Sequence, residues 1–523
     1  MNLLTDPLLR TETSEGFRRL SLPELMAALG RDQVEHLPGL QRHQEDAFHV
    51  FLCYLAGAVL ARRGDTDVIH DAQYWRDGLR GLAGEAGDDA WTLVVPDLSR
   101  PAFMQPPLPP EDHDRLRPIA DTPDALDLLP TAKNHDLKQT RAVRADPDAW
   151  VYALVSLQTM SGFYGVGNRG ISRMNGGFGN RPVVEIVRSF RPGVRWRDAV
   201  SRLLDHRREV LGSAYGYDPR GIVLVWTEPW DGKTALPLTL LDPFYVEVCR
   251  RVRLKGDGRP THAEAVASVA DRIAASELRG AVGDAWLPID LRESSSRGDG
   301  GIKALTVGPR GWDADLIRRL IFADELKLTP LQRPDARWQG DVWLSASVLV
   351  RGQGTTDGFH ERRVAIPAAA RLRVFGPPER RQPLAELSKT GVEYAGRMQN
   401  RVLRPAVLTY LATATSAADR ESYEAWWRGV AGRFQARWTD AFFTWLWSVP
   451  EPFDEQLVSR QWALQLRDFA LEILREAERF LPTHIGRRFQ ARVAAERRFW
   501  TGLYANGNFP FLREEAREDV GVA

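Results

Sequence analysis

Two patterns in this chain could do catalytic chemistry. Gly165-Val166-Gly167-Asn168-Arg169-Gly170 matches G-x-G-x-x-G, which brings bare backbone N–H groups to a dinucleotide pyrophosphate. That chemistry needs a strand before the glycines and a helix opening inside them. Trp150–Met160 is longer and more helix-like than a strand, and Gly176, Gly177, Gly179 and Pro182 follow, which cannot build that helix. His-Asp pairs stand at His70-Asp71 and His135-Asp136, the core of a metal-dependent phosphohydrolase or nuclease. Such a site needs further ligands, yet the remaining histidines are scattered and none forms an H-x-x-x-H pair. A nucleophile elbow and a phosphate-binding P-loop are also missing. Cys53 and Cys249 sit in apolar contexts without the basic neighbours that activate a thiolate. The residues therefore predict no catalytic site, no metal and no cofactor, with the metal-dependent nuclease as the enzymatic alternative.

Three other stretches suit binding. Gly352-Gln353-Gly354 follows an apolar strand, and its flanking glycines let backbone and a lone glutamine approach a partner together. An ordinary hairpin loop is the alternative. Residues 161–182 form a long glycine loop bearing Arg169, Arg173 and Arg181 and no acid. Such a loop can carry N–H groups and positive charge to phosphates or a groove, or it can be plain surface. The segment Lys133–Arg144 carries four basic residues against one acid. Donors from Asn134, Lys138, Gln139 and Arg141 suit phosphates or a single-stranded RNA end, and a solvated surface loop is again the alternative.

These loops need a scaffold. At 523 residues the chain predicts two or more domains, and 43% hydrophobic and 27% charged residues are ordinary for a soluble protein. A net charge of +1 excludes a polycationic arm while allowing a local basic strip. Two cysteines exclude a disulfide framework and fit a reducing compartment. Met1–Pro7 lacks a basic and an apolar signal region, and the longest apolar run, Phe48–Ala61, is too short to span a bilayer. The expectation is a cytoplasmic protein without membrane contact.

The predicted fold class is α+β: a large mixed α/β N-terminal domain with many loops, residues 1–380, followed by a C-terminal antiparallel four-helix bundle, residues 381–523. In the first part, patterning predicts helices at His43–Arg63 and Trp196–Leu211, and strands at Ile222–Thr227 and Val342–Val350. Loops are predicted at 104–112, 161–182, 254–260 and 293–301. After Phe375-Gly376-Pro377-Pro378 the chain reads as helix. Tyr423, Trp427, Val430, Phe434, Trp438, Ala441 and Trp445 make one stripe; Val458, Trp462, Leu466, Phe469, Ile473, Ala477 and Phe480 make another. Ser416–Asp419 is a capping box for the first, and Pro450 and Pro452 separate the two. A helix at about 384–414, kinked at Pro405, and one at about 485–505 complete the bundle. Seven of the 17 Trp residues fall here, so aromatic rings fill its core.

In chain order, Asn2-Leu3-Leu4-Thr5-Asp6-Pro7, Pro101-Ala102-Phe103-Met104-Gln105, the basic 131–144 loop, the glycine loop running into Arg181-Pro182-Val183, the Gln353-Gly354 tip and the helical bundle resemble the large subunit (CasA family) of Cascade, the type I-E CRISPR surveillance complex. The resemblance implies a non-catalytic subunit that reads the protospacer-adjacent motif (PAM) of double-stranded DNA through the minor groove. It implies a glutamine wedge at Gln353 with Gly352 and Gly354. It implies a glycine loop within Gly170–Gly179, with Gly170, Ser172, Arg173, Asn175 and Gly176 nearest the groove. A lysine finger is implied at Lys255, ahead of Lys233. Asn134, His135, Lys138 and Arg141 would meet the 5′ handle of the CRISPR RNA or a neighbouring subunit. The implied partners are other Cascade subunits, CRISPR RNA, double-stranded target DNA and a helicase-nuclease. Two departures stand out: the cysteine cluster that some relatives carry near the lysine finger is missing from this sequence, and the glycine loop is richer in Arg and Asn than the family's plain glycine run. A purely structural scaffold subunit is the third reading.

Overall fold

The computed structural model describes residues 1–127, 146–176, 179–292, 302–351, 356–415, 420–505, 507–509 and 511–512. They divide into two compact units. The first is Met1–Trp312 with Glu325–Ala365; the second is Asp313–Asp324 with Ile366–Ala523. The second unit thus begins ahead of the expected residue 381, because the short helix Arg371–Phe375 packs on the helix Pro378–Arg397 that follows it. It also takes in the helix Ala314–Phe322 from the earlier part of the chain.

The first unit is built around one helix, Arg42–Arg63. Gln41 and Gln44 form a reciprocal box at its start, and Gly64 closes it in the left-handed conformation at φ 66° with Arg62 and Arg63 in the last turn. From Val50 to Leu60 it is buried on all sides, which explains why its sequence shows little amphipathic pattern. The helices Ala72–Leu82, Pro147–Met160 and Pro192–Leu211 and the strand Leu241–Val246 pack around it. Gly57 lets the Phe244 ring approach, since a Cβ there would lie 2.7 Å from it. Pro and Gly breaks keep the sheets small. The one that meets the glycine-rich segment runs Thr356–Ile366, Val342–Arg351, Val183–Val187, with Ser347 opposite Val183. Another runs Arg117–Ala120, His262–Val266, Arg251–Lys255. The expected strand Ile222–Thr227 survives only as Ile222–Leu224. Val225–Thr227 turns into a 3-10 helix that buries the Trp226 indole, whose Nε1 donates to Ala90 O at 2.9 Å.

Among its described residues the second unit carries four long helical rods. The first is continuous from Pro378 to Ala414, but Met398–Leu403 widens into a π turn. It stands where the kink was expected: Pro405 has no N–H for the Arg401 carbonyl, and the loosened backbone receives Gly502, where a Cβ would lie 2.9 Å from Arg401 O. The other rods are Arg420–Ser448, Glu455–Ala477 and Arg488–Leu503. The expected cap at Ser416–Asp419 lies outside the described residues. The middle rods run antiparallel: Trp445 stacks on Trp462 at 4.6 Å, while Arg437 lies over Phe469 and Arg433 over Phe480. Phe469 and Phe480, expected in the core, are half-buried, and these two guanidiniums cover their outer faces. Among the described residues no helix is long and apolar enough to cross a membrane.

Trp462 is fully buried, and its indole donates to Gly391 O at 3.0 Å. Trp462→Ala is expected to cost about 3–5 kcal/mol. Trp426→Ala, at a partly exposed ring, is expected to cost less than about 0.5 kcal/mol. Chemical denaturation followed by tryptophan fluorescence separates the two.

Candidate nucleic-acid interface

The glycine-rich segment leaves the helix Pro147–Met160 at Ser161 and enters the sheet at Val183. Its outermost part is a turn in which Asn168 N donates to Gly165 O and Tyr164 N to Asn168 O. Gly165 and Gly167 hold positive φ angles of 88° and 86°, which side chains with a Cβ resist. A Cβ at Gly167 would also lie 2.7 Å from that of Ala267. Between these glycines Val166 stands fully exposed, beside a partly exposed Tyr164. The turn is tied sideways: Ser268 N donates to Gly167 O at 2.9 Å, and Arg169 Nη2 to Val269 O at 2.5 Å. Arg250 clamps its base by donating to Gly162 O at 2.9 Å and to Arg169 O.

The remainder of the segment is anchored inward. Ser172 donates from its backbone N (2.7 Å) and its Oγ (2.9 Å) to Glu247. Arg173 lies over the Tyr245 ring at 3.6 Å, between Glu247 and Asp284 at 3.6 Å each, and is 2% exposed. Arg181 reaches Asp284 with Nε at 2.9 Å and Nη2 at 2.7 Å, and Thr159 O with Nη1. Asn180 exchanges two hydrogen bonds with the Val307 backbone. Burial alone would raise the Asp284 carboxyl; Arg181 and Arg173 outweigh it and hold its pKa below the ordinary 3.8. Burial pushes Tyr245 up to about 12. Two guanidiniums and two carboxylates thus neutralise each other inside the fold.

This corrects the expectation that Arg173 faces a groove: both Arg173 and Arg181 are buried counter-charges, and the acids the segment lacks arrive from Glu247 and Asp284. Ser172 is half-buried and committed to Glu247. Gly170 packs against the Gly162–Phe163 backbone, and Asn175 is half-buried. Of the expected loop residues, Gly176 is exposed.

The expected wedge Gly352, Gln353 and Gly354 lies outside the described residues, but the strands that carry it do not. Ser347 pairs with Val183, so Arg351 and Arg181–Pro182 extend toward the same end of that sheet, with Arg351 about 13 Å beyond the pair. Asn134, His135, Lys138 and Arg141 also lie outside. Their segment leaves from Asp127, held by His43, Gln44 and Ser156, and returns at Asp146, 2.9 Å from Arg10.

The structure does not bring Lys255 to the glycine segment. Arg251 pairs with Val266, close to the Ser268 that meets Gly167; Lys255 lies at the hairpin's other end, about 13 Å along the strand, 3.5 Å from Glu264. The lysine at the glycine segment is Lys233. Gly232 O accepts from Val269 N at 2.8 Å and Ala270 N at 3.1 Å, directly behind the residues that hold Gly167 and Arg169. Asp231 caps this turn through the Lys233 and Thr234 N–H groups, which hold its carboxyl below the usual range. Lys233 is exposed and makes no ion pair among the described residues. Sequence reasoning ranked it second because hairpin register is invisible in composition. It missed Val166 as an exposed tip, although the two glycines flanking it were the available signal.

Other expected motifs turn out to be structural. His70 stacks on Tyr74 and pairs with Asp65, while Asp71 caps the helix Ala72–Leu82. Gln105, in the Pro101–Gln105 signature, accepts from Leu254 N and donates to Leu93 O. Among the described residues no cluster of three His, Cys, Asp or Glu could hold a metal.

No family model matches the chain, and no curated protein matches it. Solved structures do. CasA of Thermus thermophilus matches with a TM-score of 0.61 and 17% identity, covering 96% of this chain and 99% of that one. Cse1 of Thermobifida fusca matches with a TM-score of 0.59 and 17% identity, covering 96% of each. Cse1 of Acidimicrobium ferrooxidans gives 0.58 and 15%, covering 96% of this chain and 97% of that one. The chain has the fold of these proteins along nearly its whole length.

Asp284→Asn leaves two buried guanidiniums short of a counter-charge and is expected to cost about 3–5 kcal/mol at pH 7. The folded carboxyl titrates below 3.8, so its stabilisation is fully present above about pH 4 and is lost as pH falls through the folded pKa. Urea unfolding between pH 3 and 7 checks both points: the variant starts lower and loses less on acidification.

Proposed function

We propose that this chain is the large, non-catalytic subunit of a CRISPR RNA-guided surveillance complex of the Cascade type. In this reading it recognises the PAM in double-stranded DNA, opens the duplex beside it to start the R-loop, and helps recruit a separate helicase-nuclease. Its partners are other Cascade subunits, the CRISPR RNA 5′ handle and the target DNA. The observation that carries the proposal is the shared fold with CasA and Cse1 structures along 96% of the chain.

The site supports a division of labour. The turn Tyr164–Gly167 presents backbone and apolar side chain without a carboxylate, with Lys233 alongside, which suits a narrow and negative minor groove. That groove offers a degenerate code, so several short PAMs are tolerated. Gln353, with Gly352 and Gly354, is the wedge; unstacking a base step costs a few kcal/mol, and the extra contacts and the RNA–DNA duplex offset it. Because strand exchange is nearly balanced in energy, a small push at the PAM decides whether opening begins. Lys233 takes the lysine-finger role in preference to Lys255. The basic loop with Asn134, His135, Lys138 and Arg141 meets the RNA handle or a neighbouring subunit. With a net charge of +1, the isolated chain binds DNA weakly and needs basic partners.

In a reconstituted complex, Gln353→Ala is expected to slow strand opening, read by 2-aminopurine fluorescence beside the PAM, at least tenfold with assembly intact. Unchanged opening removes the wedge and favours a scaffold role. Lys233→Ala is expected to weaken target binding several-fold and lower the salt slope by about 1, with Lys255→Ala closer to wild type. The reverse order restores Lys255 as the finger.

A further inference from the structure

The last rod, Arg488–Leu503, is apolar on two faces. Its inner face, Ala491, Ala495, Phe499 and Leu503, is fully buried against the rest of its unit. Its outer face continues a stripe from the preceding turn: Ile485 is 96% exposed, Phe489 78% and Val493 50%. Phe489 and Val493 stand four apart on one face of the α-helix, and Ile485 precedes them in the 3-10 turn that leads into it. Isolated exposed apolar residues are ordinary, but an aligned series of this size marks a surface that is covered in use. The stripe borders a groove of about 670 Å³ whose walls include Thr409 of the neighbouring rod, Ala494 and Thr501. Thr409, Ala494 and Thr501 are small, which leaves room between the longer side chains for a partner's apolar residues.

Charge defines the partner. Elsewhere on this rod Arg492 pairs with Glu478 at 2.8 Å and Glu496 with Arg475 at 3.5 Å, while Arg488 at its start is exposed and forms no ion pair among the described residues. Arg497 and Arg498, which line the groove two turns beyond Phe489, are exposed and form no ion pair among the described residues. We propose that this face is a docking surface for an amphipathic helix of a partner protein, with apolar residues at i, i+4 and i+8 and carboxylates at one end that meet Arg497 and Arg498. Helix-in-groove recognition needs this combination of an aligned apolar stripe and flanking charge. A nucleic-acid strand fits less well, because Ile485 and Val493 offer no ring for a base to stack on. The inference concerns a surface that the DNA-reading proposal does not use.

The test uses the purified full-length chain and three fluorescent probes in anisotropy titrations: a 20-residue helical peptide with Leu at i, i+4 and i+8 and Glu at one end, the same peptide with Lys for Glu, and a dT20 oligonucleotide. The acidic peptide is expected to bind at least tenfold more tightly than the Lys peptide. The double variant Phe489→Ser with Val493→Ser is expected to weaken it at least tenfold. Arg497→Glu with Arg498→Glu is expected to reverse the preference, so that the Lys peptide binds more tightly. All these positions are exposed, so an unchanged melting temperature checks that the variants fold, and the reversal is itself a gain of binding that misfolding cannot produce. Equal binding of both peptides, no reversal, or dT20 binding that depends on the same residues overturns the proposal.

Discussion

Asp284 and Glu247, buried with Arg173 and Arg181, are the constraint on which the candidate interface rests. A segment rich in glycine buries little apolar surface, so the hydrophobic effect cannot fix its path. Polar anchors must do so. Because an unpaired buried charge is costly, a path that separated these guanidiniums from their acids would be strongly disfavoured. The cluster contributes little net stability against an apolar replacement, but it selects one arrangement of Ser172–Arg181 over many. The consequence for function is an inversion of charge. Two of the three cations that seem available to phosphates are used inside, and the outer surface is left to Val166, Tyr164, bare backbone, Arg169 and Lys233.

The same device recurs throughout the first unit. Gln158 accepts from Cys249 and Arg250 N–H groups and donates to Met104 and Arg250 carbonyls, tying a helix to two loops with one side chain. Arg253 is buried against the carbonyls of Arg100 and Val95, and burial lowers its pKa to about 10. Small sheets broken by proline and glycine leave many backbone groups without ladder partners, and buried groups of this kind need one. Side chains from distant parts of the chain supply it. The fold therefore combines one helix buried on all sides with a shell of irregular backbone pinned by side-chain hydrogen bonds, a construction that allows loops of precise shape without long strands.

What could be read in the sequence follows from this. Periodic elements were legible because their signal is local: the stripes of the second unit, the helix Arg42–Arg63 and the strand Val342–Arg351 all form where patterning predicts them. The π turn before Pro405 was legible as a kink because proline's missing donor is a local fact. The chemistry of the glycine segment was not, because its counter-ions are remote: Glu247 lies 75 residues from Ser172, and Asp284 lies 103 from Arg181. Counting acids within the loop gave an apparent positive surface that the tertiary structure removes. Which of Lys233 and Lys255 stands beside the glycine segment was not legible for a related reason. Both sit in glycine turns, and which end of a hairpin meets a third loop is set by strand pairing, not by residue type.

The two units treat charge in opposite ways. In the first, Arg173 and Arg181 of the glycine segment are internal structural parts, so the candidate interface offers shape more than electrostatic attraction. A near-neutral protein of that kind gains little from counterion release, so the proposed DNA binding by the chain alone is weak. In the proposed function it is carried to DNA by other subunits, which requires surfaces for them. The last rod of the second unit has the matching property, since its apolar outer stripe and unmatched arginines are stable in water only at a cost in solubility. A fold that neutralises cations in the candidate interface, and leaves them unmatched beside exposed aromatic and aliphatic side chains, suits the proposed dependence on protein partners.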